Sequence, residues 1–98
     1  MRTLLLGDLI AAARVLLCVQ VNQRRPLIKV MLRQADAAHA YQDKCAVPHP
    51  EWGNGSLMAR ANMLAQAVEP FASDMHYLQT LHLVLDEVIA WKIGGAKS

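Results

Sequence analysis

The residues of this 98-residue chain best suited to chemistry lie in and around the segment A-V-P-H-P-E-W-G-N-G, from Ala46 to Gly55. His49 sits between two prolines, Trp52 follows three residues later, and Gly53, Asn54 and Gly55 supply positions that tolerate positive φ before Ser56 caps a helix. His49 is a candidate acid or base. The N–H groups of Ser56, Leu57 and Met58 form a candidate anion-binding helix start, with Arg60 one turn on as its anchor. His49, Trp52, Ser56 and Arg60 are therefore the candidate ligand-binding residues. The stronger reading of the same residues is packing: Trp52 folds back to plug the end of a helical array, and the prolines fix its approach.

Metal and nucleophile chemistry find less support. Two ligands on one helix face need three- or four-residue spacing, whereas His76 and His82 are six apart; His82 does share a face with Asp86. Cys45 and His49 beside Glu51 make at most half a site, so no metal and no cofactor are expected. Ser56 in G-N-G-S-L lacks the spacing of a nucleophile elbow, and neither a phosphate-binding loop nor a dinucleotide fingerprint occurs. Cys45 continues an apolar stripe, which points to burial rather than reactivity. No catalytic residue is assigned, and an enzyme is the less expected class.

The elements that position these residues read as helices throughout. Asp8 caps a nearly all-apolar helix to about Val19, broken only by Arg14. A long amphipathic helix runs from about Asn22, its cap, to Cys45, with Leu27, Ile28, Val30, Met31, Ala35, Ala38, Tyr41 and Cys45 inward and Pro26 placed in its first turn. The four-residue link makes these two an antiparallel hairpin. Ser56 caps a third helix to about Val68, broken by Glu69-Pro70. Ser73 caps a fourth from Asp74 to Ile93, with Leu78, Leu81, Val84, Leu85, Val88 and Trp91 inward, His76, Gln79, Asp86 and Glu87 outward, and Gly94-Gly95 as its stop. Two-residue alternation is absent. The expected fold is one all-α domain over residues 1–98: four helices in a bundle-like orthogonal or up-down array with one ordered Pro/Gly-rich loop.

Composition and charge narrow the partners. Hydrophobic residues make up 54% and charged residues 18%, richer and less charged than an average soluble domain, which excludes disorder. The net charge of +2 is far from that of a dedicated nucleic-acid binder. It is unevenly spread, with six basic residues against one acid up to Gln34, and four against seven from Ala35 onward. Arg25, Lys29 and Arg33 align at four-residue steps and could track phosphates or an acidic partner. Asp36 and Asp43 share that face, and the link to the third helix is too long for a helix-turn-helix, so nucleic acid is the weaker reading.

The apolar start resembles a secretory signal, but Asp8 and Arg14 interrupt it and Leu17 stands before Cys18 where a lipoprotein signal needs a small residue. No stretch is long enough to span a membrane. A cytoplasmic protein with reduced cysteines is expected.

The runs R-x-L-L-L-G-D-L-I-A-A-A-R-V-L-L and H-P-E-W-G-N-G-S-L-M-A-R-A resemble a family of short bacterial proteins of unknown function over nearly the whole chain. The resemblance implies no activity, substrate or site residue. Leu32, Met63 and Leu83 fall outside the inner stripes of their helices, and apolar residues displaced in this way mark interfaces. With Arg25, Lys29 and Arg33 they form the expected interaction surface. The leading functional reading is a non-catalytic helical interaction protein, a homodimer or other homo-oligomer whose contact comes from the apolar first helix and the exposed Met and Leu residues, or the binder of an unidentified protein; the alternative is a small-molecule or anion site at the His49–Arg60 segment.

Overall fold

The computed structural model describes residues 2–94 as four helices and, among them, no strand: α1 (Leu6–Leu16), α2 (Val21–Cys45), α3 (Leu57–Ala61) and α4 (Met75–Ile93). One core joins them, with Ala12, Val15 and Leu16 of α1, Ile28, Met31 and Leu32 of α2, Leu57 and Ala61 of α3, and Tyr77, Val84 and Val88 of α4. Alanines on α1 let the other helices approach it closely, and it packs mainly on α3 and α4. The all-α arrangement of four helices matches the periodicity of the sequence. No helix of the described residues is long and apolar enough to cross a membrane.

The helix ends differ from the sequence reading, each for a local reason. α1 begins at Leu6, so Asp8 lies inside its first turn and reaches back to accept from Leu5 N at 2.7 Å. It stops at Leu16 because its last carbonyls are taken up: Ala13 by Leu17 N, Val15 by Cys18 N, Leu16 by Val19 N, and Arg14 by Ala67 N. Gln20, not Asn22, flanks the start of α2. Pro26 therefore falls in the second turn, where its missing N–H costs one intrahelical bond without ending the helix. Asp74, not Ser73, caps α4, its carboxylate accepting from Tyr77 N at 3.0 Å. Gly94 closes that helix; Gly95 lies outside the described residues.

Ser56 caps α3 as expected, its hydroxyl accepting from Ala59 N at 3.0 Å. The helix ends at Ala61 rather than Val68, with one local bond at its last carbonyl and two tertiary bonds on the chain beyond it. Gln66 Nε2 donates to the Ala61 carbonyl, and Ala67 is strapped to α1 by its N–H to Arg14 O at 3.0 Å and its carbonyl to Arg14 Nε at 2.7 Å. Leu64 stays partly buried, while Val68 is exposed.

α4 is turned by about 60° from the expected orientation, at about 100° per residue. Tyr77, Thr80, Val84, Glu87 and Val88 are its buried residues, so Leu78 and Leu85 face outward and Glu87 faces inward. The cause is polar: Glu87 meets Arg25 and Lys29 of α2, and Thr80 meets the buried Arg24. Burying an acid requires partners, and α2 supplies them on that side only.

Candidate functional site

The Pro/Gly-rich loop is ordered by its own backbone and by His49. His49 and Gly53 exchange two backbone hydrogen bonds, of 2.8 and 3.0 Å. Within this turn His49 Nδ1 accepts from Glu51 N at 3.0 Å and Trp52 N at 3.1 Å, which assigns its proton to Nε2 in the neutral ring. The imidazole stacks on Trp52 with centroids 4.5 Å apart and makes a T-shaped contact with Tyr41 at 4.9 Å between centroids. Trp52 is half-buried in this stack. These contacts hold His49 and Trp52 together in the loop after α2.

Gly55 carries the loop onto α2. Its φ is +96°, and a Cβ there would meet His39 Cα at 2.6 Å and His39 N at 2.9 Å, so only glycine fits so close to a helix backbone. The Gly55 carbonyl accepts from Arg2 N at 3.1 Å, tying the N-terminal segment to the same point.

The helix start expected to hold an anion already holds one from its own chain. Asp8 Oδ1 accepts from Met58 N at 2.8 Å, Ser56 N donates to Asn54 Oδ1, and the Ser56 hydroxyl caps Ala59 N. Arg60 turns to α2, where its Nε donates to Gln34 Oε1 at 2.6 Å. The structure therefore does not bring His49, Ser56 and Arg60 together around an open anion position. A cleft of about 660 Å³ does open beside Ser56, lined by Arg2, Thr3, Asp8, His39, Asn54 and Met58 among others.

The basic face of α2 is largely answered by α4. Arg25 Nη1 bonds both Glu87 and Asp86, and Lys29 Nζ lies 3.5 Å from Glu87 Oε1. The bonds from Glu87, then Asp86, hold the Arg25 guanidinium above its ordinary range, outweighing desolvation. Arg33 is exposed and lines a smaller groove of about 260 Å³ with Lys29, Leu32, Glu87, Ala90 and Trp91. Among the described residues no three His, Cys, Asp or Glu side chains converge as ligands. Cys18 and Cys45 are both exposed thiols, so the expected burial of Cys45 is corrected: α2 has left the core at its C-terminal turn.

The apolar residues thought to be displaced are distributed differently. Leu32 is 1% exposed, because α2 packs between α3 and α4 and buries a wider arc than its stripe suggested. Leu83 is packed against the core, and only Met63 remains at the surface. The uncovered apolar face lies instead on α4. Met75, Leu78, Leu85, Ile89 and Ile93 are between 42% and 81% exposed, and with His82 the first five of these positions repeat at three- and four-residue steps. Phe71, whose carbonyl accepts from Asp74 N at the helix start, is 87% exposed. The periodicity places Leu78 and Leu85 inside because α4 is apolar on two sides, and Tyr77, Leu81, Val84, Val88 and Trp91 of the inner face repeat at the same steps.

Residues 2–88 match the family described as Domain of unknown function (DUF7742), and the chain belongs to it. Neither the curated proteins nor the solved structures give a match.

Proposed function

We propose, for this member of a family without an assigned activity, a non-catalytic helical module that pairs with a copy of itself through the outward face of α4, in the cytoplasm of a bacterium. The observation that carries this reading is the exposed stripe of Met75, Leu78, His82, Leu85, Ile89 and Ile93 on a 19-residue helix whose opposite face is already in the core. A surface helix ordinarily buries one stripe and solvates the rest, and a second stripe gains stability only by being covered. Spacing alternating between three and four residues is the pattern of a helix–helix seam. Met63 lies outside this stripe, and Leu32 and Leu83 contribute to the fold beneath it.

Glu at position 85 or 89 places a charge in the seam but in solvent for a monomer. Leu85→Glu and Ile89→Glu therefore lower the solution mass while leaving the thermal midpoint of the monomer nearly unchanged. Variants that keep the wild-type mass would sink this reading.

A second reading has support in the cleft beside Ser56, where Arg2, Thr3, His39 and Asn54 offer donors and Asp8, 4% exposed, is committed to Leu5 and Met58. Such a lining suits a small carboxylate or phosphate. A ligand bound only by the folded chain raises its melting temperature. A thermal-shift screen with phosphate and small carboxylates tests it, and an equal shift for Arg2→Ala removes it. Nucleic-acid binding through Arg25, Lys29 and Arg33 has less behind it, since Glu87 and Asp86 neutralise two of the three.

A further inference from the structure

Resting on the self-pairing reading, we infer that two copies of α4 pack antiparallel about a dyad between His82 and Leu85. The charges flanking the stripe carry this inference. Asp74 and Lys92 are eighteen positions apart, five turns at about 3.6 residues each, so they lie along one flank at opposite ends of the helix. Gln79 and Asp86, two turns apart, lie along the other. In an antiparallel pair each flank faces its own copy reversed. Asp74 then meets Lys92 of the second copy, and Asp86 meets Gln79, twice over by symmetry.

The same register sets Leu78 opposite Ile89 and His82 opposite Leu85, with Met75 and Ile93 one position out of step, so the apolar and polar matches agree to within about two positions. A parallel pair would instead lay each flank against the opposite one and leave Asp74 about 27 Å along the axis from Lys92 of the second copy, at about 1.5 Å per residue, so that no ion pair forms between them. The dipoles of helices lying side by side favour the antiparallel choice as well. Asp74 can serve both ends of this scheme. Its Oδ1 caps Tyr77 N, and among the described residues its Oδ2 has no partner. Two copies related in this way make a closed dimer rather than a filament, because the same face is used on both sides.

The test uses the full chain with Cys18 and Cys45 replaced by serine and one cysteine placed at an exposed seam position. In the antiparallel register position 78 lies beside position 89 of the second copy, while the two copies of position 78 are about 16 Å apart along the axis, at about 1.5 Å per residue. Mild oxidation of an equal mixture of Leu78→Cys and Ile89→Cys chains yields the covalent heterodimer, and Leu78→Cys alone stays monomeric on a non-reducing gel. Crosslinking of Leu78→Cys alone overturns the antiparallel register while leaving self-pairing through α4 in place. A chain that has dimer mass but crosslinks in neither experiment also overturns it. A chain of monomer mass overturns the self-pairing reading on which it rests.

Discussion

The Asp8 carboxylate caps two helices at once, its Oδ2 accepting from Leu5 N at 2.7 Å and its Oδ1 from Met58 N at 2.8 Å, fifty residues away. It is 4% exposed and spends one oxygen on each helix start, so α1 and α3 are held end to end by a single buried charge. This contact joins the beginning of the G-D-L-I-A-A-A run to the G-S-L-M-A-R-A run, which otherwise share no local sequence relation.

Asp8→Ala removes both acceptors and leaves two helix-terminal N–H groups without their side-chain partner. Caps contribute about 0.5–2 kcal/mol each, so a loss of about 2–3 kcal/mol is expected in urea unfolding. Asp8→Asn keeps one carbonyl acceptor and costs about half as much. Equal stability of Asp8→Ala and wild type would refute the double cap.

The length of α3 shows what a periodic pattern leaves undetermined. Leu57, Ala61, Leu64, Ala65 and Val68 keep helical spacing, yet the helix stops at Ala61, where Gln66 takes up the Ala61 carbonyl and Arg14 binds the backbone of Ala67. Arg14 is not visible from within the segment. Helix number and type were legible because apolar residues recur at three and four along α1, α2 and α4. The Ser56 cap was legible too, since a serine before an apolar run has a local mechanism. The orientation of α4 was not, because its outward Leu78 and Leu85 are as apolar as its inward Val84 and Val88; a buried Glu87 facing Arg25 decides it. In the candidate loop, His49 and Trp52 could be picked out by type, but their stack with each other and the occupation of the α3 start by Asp8 depend on contacts distant in sequence.

Gly55→Ala puts a methyl group into the backbone of His39 and forces a positive φ on a residue that resists it. Strain of this kind costs on the order of 1–3 kcal/mol, and the α2 backbone has little room to yield. The variant is expected to unfold at lower urea and to lose amide protection around His39 and Arg2. Unchanged protection at both would contradict the close approach.

Burial raises the Tyr77 hydroxyl above its ordinary range, and the charge of Glu69 and the 3.4 Å hydrogen bond to it add to the rise, with Arg14 opposing. A group that holds its proton more tightly when folded contributes stability that is full below the unfolded tyrosine value of about 10 and lost as pH climbs through the folded value. The melting temperature should therefore fall more steeply above about pH 10 in wild type than in Tyr77→Phe. Parallel curves for the two proteins would show that Tyr77 ionises without linkage to folding.

Glu87 holds Arg25 and Lys29 against α4 with its side chain only 8% exposed. Glu87→Ala leaves Lys29 to solvent and Arg25 with Asp86 alone, and breaking such a pair costs about 3 kcal/mol or less given the exposure of Arg25. The loss should be smaller when Arg25→Ala is already present. An equal loss in both backgrounds would mean that the pair does not act as a unit.

Light scattering of the purified wild-type chain across a dilution series is the most direct test of self-pairing. The interface uses one helix from each copy, at the small end of stable contacts, so the expected result is a mass near twice 10.8 kDa that falls toward 10.8 kDa on dilution. A mass of 10.8 kDa at every concentration, up to the millimolar range, would contradict it and leave the outward stripe of α4 without a second copy to cover it.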